Sequence, residues 1–162
     1  MEKYSIGIIA DRSGSVIMEK KMIEDSIELM AEALDRNYPQ NIKKEIIVTC
    51  IGEEDILLPQ QVEKIIMKKK LNEDNLLESE NIFKLFERIS KNEGVKKIFL
   101  FSDGYFKRED WDKFFSKLKE DENLDAIERI AIAVGEGVNK RILKEFSSRE
   151  KVFQYKDIFD LV

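Results

Sequence analysis

The sequence predicts a three-layer α/β sandwich, built on a doubly wound, mostly parallel sheet with one antiparallel edge strand. Three observations predict it. Short runs rich in β-branched residues alternate with longer stretches that carry apolar residues at helical spacing. The run Ile130-Ala131-Ile132-Ala133-Val134 is apolar at every position, as a strand covered by helices on both faces requires. Two further runs, Ile6 to Ala10 and Lys97 to Phe101, lead directly into turns that carry a carboxylate, and in open α/β sheets ligand sites form beyond such strand ends.

Taken in order, the first strand is Ile6-Gly7-Ile8-Ile9-Ala10. Residues from Ile17 to Arg36 then read as a helix, because Ile23, Ile27, Met30, Ala31 and Leu34 share one face, and Asn37-Tyr38-Pro39 ends it. Ile46 to Ile51 is a second strand. Gly52-Glu53-Glu54-Asp55 turns into a short strand at Ile56 to Leu58, stopped by Pro59, and this hairpin supplies the antiparallel edge. Val62, Ile65 and Ile66 predict a short helix running into Lys68-Lys69-Lys70, a basic end suited to a helix C-terminus. A polar loop from Leu71 to Ser79 precedes a helix carrying Ile82, Phe83, Leu85, Phe86 and Ile89, closed by Gly94.

The strand Ile98 to Phe101 is followed by a helical stripe of Trp111, Phe114, Phe115 and Leu118, a core pattern rather than a cofactor box. After Val134 the turn Gly135-Glu136-Gly137 lacks the third glycine of a dinucleotide fingerprint and reads as structural. Val138, Ile142, Leu143 and Phe146 form the next helix, Val152 to Tyr155 the last strand, and Ile158, Phe159 and Leu161 a terminal helical stub. Repeats, linkers and low-complexity tracts are absent, so residues 1–162 are expected to form a single domain.

Composition narrows the function. The chain is 43% hydrophobic and 38% charged, with a formal net charge of -5, which speaks against a general nucleic-acid binder while leaving room for local basic patches. Histidine is absent, which excludes His-based triads, His general bases and His-ligated zinc within the chain. Cys50, the one cysteine, lies inside an apolar strand where a thiol packs as an apolar group. An N-terminus that enters a strand directly, without an apolar run of membrane-spanning length, points to a cytoplasmic protein with no membrane partner.

The segment Asp11-Arg12-Ser13-Gly14-Ser15 places a carboxylate and two hydroxyls at the end of the first strand. In a tight turn, Asp11, Ser13 and Ser15 can converge on one hard cation such as Mg²⁺, and Gly14 gives the turn its backbone freedom. The same residue types also cap helices. Ser102-Asp103-Gly104 repeats the pattern at another strand end, which brings Asp11 and Asp103 to one edge of the sheet.

These residues, in this order, resemble a von Willebrand factor type A domain, and the likeness spans nearly the whole chain. That family carries a metal-ion-dependent adhesion site on an Asp-x-Ser-x-Ser loop after the first strand, matched by Asp11, Ser13 and Ser15. An Asp after the central strand, commonly followed by Gly, is matched by Asp103-Gly104. The resemblance implies a Rossmann-like fold in which Ser13 and Ser15 ligate Mg²⁺, or Mn²⁺ or Ca²⁺, while Asp11 and Asp103 hold it through water or through the serines. The family's ligating threonine has no counterpart, because the one threonine, Thr49, sits mid-strand. Ser79 or Glu80 falls nearest that position, and both also suit the start of a helix.

The expected function is recognition rather than turnover: a module that docks a partner protein, the partner donating a Glu or Asp carboxylate to the cation. Two alternatives stand beside it. One is a Mg²⁺-dependent phosphoryl-transfer enzyme with Asp11 as nucleophile, although Ser13 occupies the place where such phosphatases carry a second Asp. The other is a metal-free scaffold with a degenerate site.

Overall fold

The structure, a computed structural model, describes residues 2–11, 20–51, 58, 65–70 and 79–162, with the side chains of residues 69, 70 and 79–81 left out. The strands are β1 (Lys3–Asp11), β2 (Lys43–Ile51), β3 (Ile65–Lys70), β4 (Val95–Ser102), β5 (Glu128–Ala133) and β6 (Val152–Phe153). The helices are α1 (Lys20–Asn37), α2 (Ser79–Ser90), α3 (Arg108–Lys119), α4 (Glu122–Asp125), α5 (Lys140–Phe146) and α6 (Ile158–Leu161), the last preceded by a 3₁₀ turn, Tyr155–Asp157.

The strands form one sheet in the order β3-β2-β1-β4-β5-β6, and every pairing is parallel. The chain therefore moves outward from β1 on one side, then returns to lay β4 on its other side. This order makes the β1–β4 boundary a topological switch point, where the connections leaving two neighbouring strands go to opposite faces and open a crevice.

Alternation along each strand divides the core into two layers. Ile6, Ile8 and Ala10 of β1 join Ile46, Val48 and Cys50 of β2 under α1 and α6. Ile9, Ile47, Ile51, Ile98 and Leu100 face α2, α3 and α5. Along β5 the larger Ile130 and Ile132, with Val134 just past its end, belong to the first layer and the small Ala131 and Ala133 to the second. The second layer is aromatic: Trp111 stacks with Phe106 at 4.9 Å and with Phe114 at 5.3 Å between ring centres, and its indole N–H donates to the Ile142 carbonyl at 3.3 Å. Gly7 lets α2 approach the sheet, since a Cβ at that position would collide with Ile89 Cγ2.

The edge of the sheet corrects one expectation, and a second falls outside the described residues. Ile65 to Lys70 is a strand rather than the end of a helix, and it runs parallel to β2, Lys44 opposite Ile65 through Thr49 opposite Lys70. No antiparallel edge strand is present among the described residues. The hairpin segment expected at Ile56 to Leu58 lies almost wholly outside them, and Leu58 itself has no regular structure. A parallel neighbour needs a crossover of about a dozen residues or more, and positions 52–64 supply that length.

A buried carboxylate ties this edge to the centre. Glu45 of β2 is fully buried, with Lys3 of β1 on one side of its carboxylate and Lys68 of β3 at 2.8 Å on the other. Burial pushes the Glu45 carboxyl up, but hydrogen bonds and charge from Lys3 and Lys68 outweigh it and hold the group below the usual glutamate range. Two other lysines fasten helix ends. Fully buried Lys44 donates to the Tyr38 carbonyl just past α1 at 3.0 Å, and Lys97 to the Leu161 carbonyl at the end of α6 at 2.7 Å. None of the described helices is long and apolar enough to cross a membrane.

Candidate metal centre

Asp11 is the last residue of β1 and is 1% exposed. It stands there because the apolar stretch Ile6 to Ala10 of β1 forms a ladder with β4 that runs to Ala10 opposite Phe101, so the next pair along the two strands is Asp11 and Ser102. A carboxylate cannot be buried at a strand end without donors. The Ser102 hydroxyl meets that need, donating to Asp11 Oδ2 at 2.8 Å, and the same hydroxyl oxygen accepts the Gly104 N–H at 3.0 Å. One serine therefore links the carboxylate of β1 to the backbone of the β4–α3 turn.

That turn holds Asp103. Its side chain is half-buried and its Oδ1 accepts the Tyr105 N–H at 3.2 Å. The backbone is fixed from the neighbouring loop: the Asn139 N–H donates to the Asp103 carbonyl at 2.7 Å, and the Val134 N–H to the Ser102 carbonyl at 3.0 Å. Gly104 has φ +80°, and a Cβ on it would lie 2.6 Å from the Asn139 carbonyl oxygen and 3.0 Å from Leu143 Cγ. Only glycine fits that conformation and that spacing. Tyr105 turns outward, 65% exposed, with its phenol donating to the Gly137 carbonyl. The Gly135-Glu136-Gly137 turn thus braces the site, with both glycines at positive φ.

Asp11 ends β1 and Asp103 directly follows the end of β4, so the two stand at neighbouring strand ends on the switch-point edge. Ser13 and Ser15, with Arg12 and Gly14, lie outside the described residues. Ser79 and Glu80 form the first turn of α2, whose other end runs through Gly94 back to the start of β4 beside Lys3. The first turn of α2 therefore points toward the edge that carries Asp11, and the side chains of these two residues are outside the description. Thr49, its hydroxyl buried and without a hydrogen-bond partner among the described residues, lies within β2 opposite Ile9, not in a loop preceding a helix.

Ser102 is the residue that sequence reasoning left without a role. The available signal was a hydroxyl residue ending an apolar strand immediately before Asp-Gly, one step from a strand whose last residue is a carboxylate.

The donor chemistry fits a hard divalent cation: carboxylate oxygens, hydroxyls in the adjacent segment, and no thiolate or imidazole. No group of three or more His, Cys, Asp or Glu that could hold a metal occurs among the described residues; the candidate set combines two carboxylates with serines. No protein-family model matches this chain, and none of the curated proteins matches it.

Proposed function

We propose that this chain is a protein-interaction module that docks a partner through a divalent cation held at the β1–β4 crevice, in the manner of von Willebrand factor type A domains. The observation that carries the reading is the junction of two acidic strand ends. A buried Asp11 is hydrogen-bonded to Ser102, and Ser102 directly precedes the half-exposed Asp103 at the switch point of a parallel sheet.

In this reading Asp11 and Asp103, with Ser13 and Ser15, hold Mg²⁺, Mn²⁺ or Ca²⁺, and Ser79 or Glu80 stands in for the absent threonine. The cation supplies a concentrated positive charge at an open face, which attracts a carboxylate of the partner. Ser102 orients the Asp11 carboxylate, and the braced β4–α3 turn keeps Asp103 at the rim. Glu80 as a donor would add a negative charge, tightening the ion while weakening its pull on an incoming carboxylate. A cytoplasmic setting belongs to the same reading.

Calorimetric titration with Mg²⁺ and Mn²⁺ tests it. Saturable binding by the native chain, lost or weakened by about 10- to 100-fold in Asp11→Ala, is the expected result. Absence of heat with either ion removes the metal from the proposal. Steady hydrolysis of a phosphomonoester, abolished in Asp11→Asn, replaces recognition with turnover.

A further inference from the structure

Away from the crevice, the flank formed by α3 and α5 carries a cleft of about 440 Å³. One wall is a single face of α3, where Arg108, Asp112, Phe115 and Lys119 recur at helical spacing. Lys144 of α5 and Arg129 of β5 line it as well. A second cavity of about 570 Å³ continues around α5, past Lys140 and Arg141, and shares Lys144, Glu145 and Glu150 with the first.

Together the two cavities are lined by six cations and three carboxylates, on a chain whose formal charge is -5. Two of the carboxylates are already engaged. Glu145 pairs with Arg108 at 2.6 Å and with Arg141 at 3.7 Å, and Asp112 pairs with Arg108 at 3.2 Å. Arg129 is fixed by the Phe146 carbonyl at 2.9 Å and by Asp125 at 3.2 Å. Lys119, Lys140 and Lys144, all exposed, have no ion pair among the described residues. Half-buried Phe115 lines the first cavity together with Lys119 and Lys144.

We infer that this cleft binds an acidic peptide segment of a partner protein, its carboxylates meeting Lys119, Lys144 and Lys140 and an apolar side chain resting on Phe115. Charge complementarity selects the occupant: a local excess of unpaired lysines on an acidic molecule attracts acidic chains to this flank. Room for an extended segment, with an apolar contact between the charges, favours a peptide over a lone anion. Its lining shares no residue with the candidate metal centre, and the contact needs no cation.

Fluorescence anisotropy with the full chain tests it, using a short fluorescein-labelled peptide of glutamates and aspartates with one phenylalanine. The native chain binds it, more weakly as salt rises, and chelator leaves the affinity unchanged. The double variant Lys119→Gln/Lys144→Gln weakens binding about tenfold, and Glu150→Gln tightens it about twofold, each with an unaltered melting curve. No binding by the native chain, equal binding by the double variant, or loss of binding with chelator overturns the inference. Equal affinity for a lysine-rich peptide, or tighter binding of a single-stranded oligonucleotide, overturns it as well.

Discussion

Ser102 ties the two strand ends of the candidate centre together. Its hydroxyl serves a buried carboxylate and a backbone N–H at once, so Ser102→Ala leaves both without that partner. The expected loss is on the order of 1–3 kcal/mol, read by urea unfolding, and Ser102→Thr, which keeps the hydroxyl, is expected to recover part of it. A variant as stable as the native chain would show that the link is not structural. Glu45 makes a second prediction. Its carboxyl titrates below the unfolded-state value, so its contribution is complete above the unfolded pKa and disappears as pH falls through the lower folded value. Stability is therefore expected to fall on acidification below the ordinary glutamate range, and Glu45→Gln is expected to flatten that fall. An unchanged pH slope in Glu45→Gln would contradict the pairing.

The elements were mostly legible because their periodicities are local. Ile82, Leu85, Phe86 and Ile89 mark the buried face of α2 in the sequence and are buried in the fold, and the unbroken apolar run in β5 announces a strand covered on both sides. β3 was not legible for the opposite reason. Val62, Ile65 and Ile66 fit helical spacing, whereas what makes residues 65–70 a strand is the ladder to β2 and the pairing of Lys68 with Glu45, neither visible in a short window. Lysines that read as a helix C-terminus belong instead to an edge, where charge discourages further pairing. Packing between elements is equally non-local, and Gly7 exposes it. Gly7→Ala is expected to cost about 1–3 kcal/mol by forcing Ile89 and α2 away from the sheet. In the double variant Gly7→Ala/Ile89→Ala, that penalty is expected to shrink, so that chemical denaturation shows non-additivity. Strict additivity would mean that α2 does not rest on Gly7.

At the scale of the molecule, strand order rather than any one residue creates the candidate centre. Asp11 and Asp103 are far apart in the chain, and the return of β4 to the side of β1 makes them neighbours. The two acidic strand ends could be read from sequence, but the hydroxyl between them and the brace from the β5–α5 turn depend on register and loop contact. The acidic-peptide cleft was less visible still, since its lysines come from two helices and Arg129 from β5. The most direct test of the central claim is an NMR titration with substoichiometric Mn²⁺. The account predicts selective broadening of the amide signals of Asp11, Asp103, Gly104 and Tyr105, reversed by excess Mg²⁺ and absent in Asp11→Ala. Broadening confined to other acidic surface residues, or none at all, would contradict it.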